Sequence, residues 1–437
     1  MSFIYTKQMK INGLVLLYKL FLEISFYIVL TCKTDFYKTQ FDPLRFINET
    51  IWCVLTLLLI KLVNNKASSF FLLMIYVLQI IPISVVYAFQ DIASPIYYNL
   101  LMMSFFLCEL IVNNTIIKND LMPNRWISKN LFSILGMVSG IVLVVIVLKN
   151  GMPSLAALSL LDVYEFRSNL TFQTSKIIGY FLSSVVKVAL PIFAVRYLLR
   201  KEYLKSLIPL IGILIVFLYT GQKSFLFSIP LIIIGVFFIN KEEGNVKIFQ
   251  VMLLTFIGVC VVACVHDFRG SRDIAWVIYS MFVRRVLIVP AYLKFIHYDY
   301  FLNHPYLGLY GVIPRVINPY KPAYYEQGVS YPFDIGAIYF DKPNMSADTG
   351  ALIEGFSRFG YIGLIGSLLF IAIILKQIDR FQEKTSYREA VCYFIYIIYS
   401  LSEMQIVGTL FLGPWMFALI IINWYKDWDK DKDTVSS

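Results

Sequence analysis

Long runs of apolar residues recur along the chain and are separated by short polar segments. Each run holds about 20 residues, enough to cross a hydrocarbon core of roughly 30 Å as an α-helix. Backbone groups in a bilayer must pair within the protein, and a helix pairs them within one segment. The pattern predicts an all-α polytopic membrane protein with about twelve transmembrane helices. The predicted spans are Ile11–Thr31, Phe46–Val63, Ser68–Phe89, Pro95–Ile117, Leu131–Leu148, Ile177–Leu199, Leu204–Tyr219, Ser224–Ile239, Val246–Val265, Phe356–Leu375, Ala390–Glu403 and Ile406–Trp424.

The basic residues near the span ends predict the orientation, because cytoplasmic loops carry an excess of Lys and Arg. With a cytoplasmic amino terminus, every segment that falls inside is basic, including Lys376–Arg388. The first outside loop, which carries Lys33, Lys38 and Arg45, is an exception. We therefore predict that both termini are cytoplasmic. This topology accounts for most of the +10 net charge without a nucleic-acid partner.

A further stretch, Ile274–Leu293, is apolar enough to count as a thirteenth span. An extra crossing would move Lys376–Arg388 to the outside. It would also place Arg284 and Arg285 near mid-bilayer, at a cost of about 2.5 to 3.5 kcal/mol each. We therefore predict a helix that lies in or above the outer interface and is kinked near Pro290.

The longest outside segment is Asp267–Glu354, within a single membrane domain of residues 1–437. It holds eleven of the thirty tyrosines, while its eight basic and eight acidic residues cancel, so net charge does not explain its composition. Arginine binds phosphate bidentately, and tyrosine offers a ring face and a hydroxyl to a sugar. This mixture favours a lipid-phosphate-linked glycan, whereas an interfacial tyrosine belt would explain the aromatic residues alone. The arginines of this segment are Arg269, Arg272, Arg284, Arg285 and Arg315.

Composition excludes several classes of protein. With 59% hydrophobic residues and a mean hydropathy of +0.71, the chain is too apolar for a soluble protein of this length. The cysteines fall inside predicted spans or at a span end, so no disulfide framework is predicted. His266, His297 and His304 lack metal-ligand spacing. Walker, GxSxG and dinucleotide motifs are absent from the sequence. We predict neither a metal nor a cofactor.

Charged residues inside predicted spans are the next candidates for function. Lys19 and Glu23 lie one helical turn apart in the first span, so each can neutralise the other. Glu109 and Lys187 lie in the fourth and sixth spans. Charges in a membrane are costly and are usually paired or functional. Pairing, snorkelling and an ion or substrate path are all open interpretations.

Two more cations are candidates for binding an anion. Lys223, in the sequence TGQKS, begins a predicted span, where free amide groups and the helix dipole favour a pyrophosphate. A snorkelling lysine in a tight turn is the alternative. Arg167 lies in the medium-length outside segment with Asp162 and Glu165 nearby. It belongs either to a solvated loop or to a phosphate or sugar site.

Two segments, VRRVLIVPAYLKFIHYDYFLNHP (Val283–Pro305) and ADTGALIEGFSRFGYIGLIG (Ala347–Gly366), resemble bacterial O-antigen and capsular repeat-unit polymerases of the Wzy type. The resemblance extends to the architecture of the whole chain. It implies a GT-C-like glycosyltransferase of the bacterial inner membrane, with Asp267–Glu354 as its long periplasmic loop. The implied substrate is an undecaprenyl-diphosphate-linked oligosaccharide that is anchored in the membrane lipid. A chain-length regulator is an expected partner. The growing chain would move from its lipid diphosphate to a new lipid-linked repeat.

The resemblance also implies residue roles. Family arginines on two periplasmic loops correspond to Arg167 and to Arg284 or Arg285. Cationic side chains would hold the diphosphate and stabilise it as the leaving group. The substrate-binding candidates are Arg167, Lys223, Arg284, Arg285, Arg315 and Arg358.

The acceptor hydroxyl needs a base or an orienting group, and the catalytic candidates are Glu354, Asp348 and His297. Glu354 also lies one turn before Arg358, so a structural ion pair is the alternative. Three glycines of the same segment are expected to permit close helix packing. They are Gly360, Gly363 and Gly366.

Two rival functions follow from the same features. An O-antigen ligase would share the donor chemistry but transfer the chain to lipid A core. A lipid-linked oligosaccharide flippase is also expected to have about twelve spans. Short loops throughout would favour the flippase, so the long outside segment favours an enzyme.

Overall fold

The computed structural model describes residues 2–33, 37, 40–62, 66–114, 125–154, 176–239, 244–268, 273–310, 330–406, 410 and 413–425. Within these ranges the regular structure is helical, without strands. Nine helices there are long and apolar enough to cross a membrane. The chain is therefore a multi-pass α-helical membrane protein.

We number the helices in chain order. They are α1 (Ser2–Ser25, continued by a π-helix over Phe26–Lys33), α2 (Pro43–Leu59), α3 (Ala67–Phe89), α4 (Pro95–Asn114), α5 (Arg125–Asn150), α6 (176–199), α7 (Tyr203–Thr220), α8 (Lys223–Phe238), α9 (Gly244–Val265), α10 (Ile274–Asn303), α11 (Tyr331–Phe340), α12 (Ala351–Lys384), α13 (Tyr387–Tyr399) and α14 (Pro414–Trp424).

Eight of the nine spanning helices coincide with predicted spans, and the ninth is α10. The four other predicted spans correspond to shorter helices, namely α2 with 17 residues, α8 with 16, α13 with 13 and α14 with 11. Residues 407–409 and 411–412 of the last predicted span lie outside the described residues. The count of twelve and the GT-C-like arrangement stay predictions.

The chain divides into two compact units. Unit 1 is Met1–Thr115, Asn245–Leu375 and Leu401–Val407, and unit 2 is Ile116–Gly244, Lys376–Ser400 and Gly408–Ser437. In unit 1, the spanning part of α3 is buried along its whole length and packs against α1, α2, α4 and α10. In unit 2, α6 packs against α7, and α8 packs against α13.

In three of the spanning helices that continue through a proline, a π-helical segment lies just before the proline. Proline lacks an N–H, and its ring clashes with the carbonyl one turn earlier. A wider π-helical turn precedes each of these prolines and makes room for the ring, so the helix is not broken. The pairs are Tyr76–Ile80 before Pro82 in α3, Val185–Ala189 before Pro191 in α6, and Ser280–Ile288 before Pro290 in α10.

The segment Asp267–Glu354 is more helical than predicted. Helix α10 runs through Pro290 and ends at Asn303, well beyond the predicted end at Leu293. A π-helical segment, Ser280–Ile288, precedes Pro290, and the kink expected there stays a prediction. By length and composition α10 qualifies as a span, so its placement at the outer interface stays a prediction. Helix α11 adds a second ordered element to the same segment.

Two basic residues of the first predicted outside loop, where the orientation rule does not expect them, are hydrogen-bonded within unit 1. Lys33 Nζ donates to the carbonyl oxygens of Ala263, Cys264 and His266 at 3.2, 2.8 and 2.6 Å. These carbonyls lie at the end of α9, where a helix leaves its last acceptors unpaired and favours a cation. Arg45 similarly donates to the Gln90 carbonyl oxygen at 2.8 Å. Helix-end and turn stabilisation therefore accounts for both.

Helix α12 consists of two arms, 351–358 and 361–384, separated by non-helical backbone at Phe359 and Gly360. A Cβ atom added at Gly355 would lie 2.0 Å from the Gly363 carbonyl oxygen, and one at Gly363 would lie 2.0 Å from the Gly355 carbonyl oxygen. In a straight helix two residues eight positions apart are separated by about 12 Å. The chain therefore folds back at Gly360, where φ is +65°, and the arms touch backbone to backbone.

The predicted role in close helix packing is confirmed for Gly363, which forms the crossing. Gly360 instead provides the left-handed turn next to the Tyr306 ring. The prediction is wrong for Gly366, because a Cβ added there meets nothing within 4 Å among the residues that the structure describes. The predicted span Phe356–Leu375 also began inside the first arm, whereas the continuous helix starts at 361.

We expect Gly355→Ala to destabilise the protein by about 1 to 3 kcal/mol, the usual cost of forcing an extra methyl group into a packed contact. The measurement is the apparent melting temperature of the purified protein in detergent. Gly366→Ala is the matched control and should melt like the wild type. Equal melting of all three proteins would contradict the backbone contact between the arms.

Candidate functional site

A buried ion pair lies in the first arm of α12. Arg358 Nε donates to Glu354 Oε1 at 2.8 Å, and the two residues are 4% and 3% exposed. One terminal guanidinium nitrogen donates to the carbonyl oxygens of Gly308 and Tyr310 at 3.1 and 3.0 Å. The other donates to Gln405 Oε1 at 3.3 Å. The pair ties three separate segments of unit 1 together.

Glu354 also binds through its second carboxylate oxygen. Oε2 accepts a hydrogen bond from the backbone N–H of Ile406. The ion-pair interpretation of Glu354 and Arg358 is confirmed. A role for Glu354 as a base, or for Arg358 as a phosphate ligand, would require these buried contacts to be given up. The geometry therefore favours a structural clamp.

His297 lies on α10 and is 1% exposed. Its Nε2 donates to the carbonyl oxygen of Ala347 at 2.7 Å, since a carbonyl can only accept. The N–H of Ala347 donates in turn to the carbonyl oxygen of Pro332 at 2.9 Å. The ring of Tyr331 meets the imidazole edge-on at 5.7 Å. His297 thus fixes the backbone just before Asp348, and this geometry favours positioning over proton transfer.

Asp348 is exposed, whereas the other two acid–base candidates are buried. Its Oδ1 accepts the backbone N–H of Thr349 at 2.9 Å. The next residue, Gly350, approaches the chain so closely that a Cβ there would lie 2.1 Å from the Leu401 carbonyl oxygen. Asp348 therefore stands on a fixed backbone and faces solvent, as a general base must if it is to meet a substrate.

Two Tyr–Asp hydrogen bonds join α10 to α11. Tyr300 donates to Asp334 Oδ2 and Tyr339 donates to Asp299 Oδ2, both at 2.6 Å. Burial and the Asp299 carboxylate raise the pKa of the Tyr339 hydroxyl. Sequence reasoning missed these pairs. The enrichment in tyrosine pointed to the segment, but one sequence does not reveal which tyrosine meets which aspartate.

Arg284 and Arg285 lie in the π turn of α10. The Arg284 guanidinium carbon is 5.9 Å from the centre of the Trp276 ring, a cation–π distance. Burial raises the pKa of Tyr37 to about 12, although the positive charge of Arg284 acts in the opposite direction. Arg285 is exposed. A half-buried arginine against the Trp276 ring and an exposed neighbouring arginine suit an anion with an attached sugar or lipid.

Three further cations were predicted to bind an anion, namely Lys223, Arg167 and Arg315. Lys223 is the first residue of α8 in unit 2, where Gly221 ends α7 with φ of +61°. Tyr396 of α13 donates to the Ser224 carbonyl oxygen at 3.2 Å. The predicted tight turn with a lysine at a helix start is therefore confirmed. Arg167 and Arg315 lie outside the described residues.

The described part of the chain contains no group of three or more His, Cys, Asp or Glu side chains that could hold a metal ion. Comparison of the chain with protein-family models, with curated protein sequences and with solved structures finds no match.

We expect Arg358→Ala to lower the free energy of unfolding by about 3 to 5 kcal/mol, because it leaves the Glu354 carboxylate buried without its cation. Arg285→Ala, at an exposed position, should melt like the wild type. The measurement is thermal unfolding in detergent. Adding Glu354→Gln to Arg358→Ala should recover part of the loss. A stable Arg358→Ala protein would contradict the clamp.

Proposed function

We propose that the chain is a metal-independent glycosyltransferase that polymerises undecaprenyl-diphosphate-linked oligosaccharide repeats, like the Wzy-type polymerases it resembles. The observation that carries the proposal is the Arg284–Arg285 pair, presented by a π turn beside Trp276 and Tyr37. A guanidinium group binds phosphate bidentately, so two arginines at consecutive positions suit the two phosphates of the donor. Aromatic rings suit the sugars attached to it.

In the proposed reaction, a hydroxyl of the acceptor repeat attacks the anomeric carbon of the growing chain. The bond from that carbon to the diphosphate oxygen breaks, and the lipid diphosphate leaves. Arg284 and Arg285 stabilise its developing charge, while phosphate binding by Arg167, Arg315 and Lys223 stays a prediction from the sequence. The exposed Asp348 accepts the hydroxyl proton. His297, Glu354 and Arg358 hold the backbone around it and are proposed not to touch substrate.

Two rivals are separable by genetics. An O-antigen ligase would use the same donor, and a lipid-linked oligosaccharide flippase would move it without reaction. Loss of a polymerase should leave single repeats attached to core, whereas loss of a ligase should leave none. A flippase would move lipid-linked repeats across the membrane without forming glycosidic bonds between them. The surface-polysaccharide ladder of a deletion strain therefore discriminates polymerase from ligase.

We expect Arg284→Ala and Arg285→Ala each to shorten the polymer, and the double variant to abolish it, because each removes a phosphate contact. The measurement is the polysaccharide ladder after complementation of the deletion strain, with protein level in the membrane as the control for insertion. Lys149→Ala removes an exposed cation elsewhere and should leave the ladder unchanged. Wild-type banding from the double variant would reject the phosphate site.

We propose that the protein lies in the bacterial inner membrane, with both termini cytoplasmic and Asp267–Glu354 periplasmic. A reporter active only in the periplasm should be active when fused near Tyr320. A reporter active only in the cytoplasm should be active near Glu383. The reverse pattern at either site would reject this orientation. A chain-length regulator is a further proposed partner.

A further inference from the structure

Three charged side chains meet inside unit 1. Lys19 Nζ lies 2.5 Å from Glu23 Oε1 and 2.7 Å from Glu49 Oε1. Lys19 and Glu23 belong to α1, and Glu49 belongs to α2. The three residues are 6%, 5% and 0% exposed. The Lys19–Glu23 pairing predicted from the sequence is confirmed, and Glu49 is a third member that the sequence did not reveal.

The charges of this triad do not balance. Two carboxylates and one ammonium carry a net charge of −1 when all are ionised. An uncompensated buried charge costs several kcal/mol. Glu23 Oε1 and Glu49 Oε1 both contact Lys19 Nζ, so the two carboxyl groups lie close together. One proton shared by the pair would cancel the excess charge, as in other close carboxyl pairs.

The surroundings favour a proton over a metal cation. The Lys19 ammonium already occupies the space between the carboxylates and lies 5.1 Å from the Phe46 ring centre. The titratable groups that face the triad from α2, α3 and α4 are Cys53, Tyr76 and Tyr98, which are neutral when protonated. None of these three can supply the missing positive charge.

A row of hydrogen-bonding groups leads away from the triad. The Cys53 thiol donates to Glu49 Oε2 at 3.6 Å and lies 3.3 Å from Ser84 Oγ. Ser84 Oγ lies 3.0 Å from the Tyr98 hydroxyl, and the Tyr98 ring stacks on Tyr87 at 4.0 Å. Thiols and hydroxyls both donate and accept, so they can pass a proton along such a row.

We propose that Lys19, Glu23 and Glu49 form a buried proton-binding site, in which the two glutamates share one proton and exchange it along the row of thiol and hydroxyl groups. The site stands apart from the Arg284–Arg285 pair and does not depend on the proposed transfer reaction. Release of the proton leaves a negative charge inside unit 1. The stability of the unit is thereby coupled to proton availability.

Infrared spectroscopy of the full-length protein in lipid vesicles tests the shared proton. The expected result at neutral pH is a protonated-carboxyl band that shifts when glutamate is labelled with ¹³C. Glu23→Gln and Glu49→Gln should each remove the same band, because the remaining glutamate then ionises beside Lys19. Glu202→Gln is the matched control, since Glu202 pairs with Lys205 at the surface, and it should leave the band unchanged. Glu109→Gln identifies any band from that separate buried carboxyl group.

The spectrum of labelled wild-type protein already tests the proposal, so the test does not require that the variants fold. A spectrum without a glutamate-sensitive protonated band overturns it, as does a band that persists in both glutamine variants or vanishes on addition of Na⁺. Hydrogen–deuterium exchange of the band tests the route. Ser84→Ala should slow this exchange about tenfold, the effect of one lost hydrogen bond. An unchanged rate overturns the route.

Discussion

A charged or polar group inside this protein must find its partner within the same chain, since hydrocarbon supplies none. Unit 1 satisfies this constraint in several places. Arg358 holds four acceptors from three segments, and Lys33 covers the carbonyl end of α9. Lys19 serves two carboxylates at once. In each case one long cationic side chain joins elements that are distant in sequence, so the charges define which helices are neighbours.

The same constraint separates structural from functional charges in the segment Asp267–Glu354. The charged groups of Glu354 and Arg358 are hydrogen-bonded within the protein, and His297 donates to a backbone carbonyl oxygen. Asp348 and Arg285 are exposed at the surface of the protein. The proposed chemistry therefore depends on the exposed members of the segment, while the buried members keep the backbone in place around them.

Features that depend on neighbours along the chain could be predicted from the sequence. Most spans follow from apolar runs, and the Lys19–Glu23 and Glu354–Arg358 pairs follow from helical spacing. Lys223 at a helix start follows from its turn sequence. The extension of α10 to Asn303 was missed because its last turns, rich in tyrosine and charge, look polar in a linear sequence.

Contacts between distant segments could not be predicted. The pairing of Glu49 could not be predicted, because its partner Lys19 lies on another helix, α1. The aspartates of α10 and α11 give no sign of which tyrosine each will accept. The fold-back of α12 was also hidden, since Gly355 and Gly363 look like ordinary small residues of a transmembrane helix.

The backbone contacts at Gly350, Gly355 and Gly363 bear on how loss-of-function data for this chain should be interpreted. A genetic screen scored by product alone would rank these glycines beside any residue that touches substrate. They carry no functional group, and their intolerance would reflect space already filled by carbonyl oxygens. Sorting hits by the amount of folded protein would separate the positions that shape the molecule from those that act on its ligand.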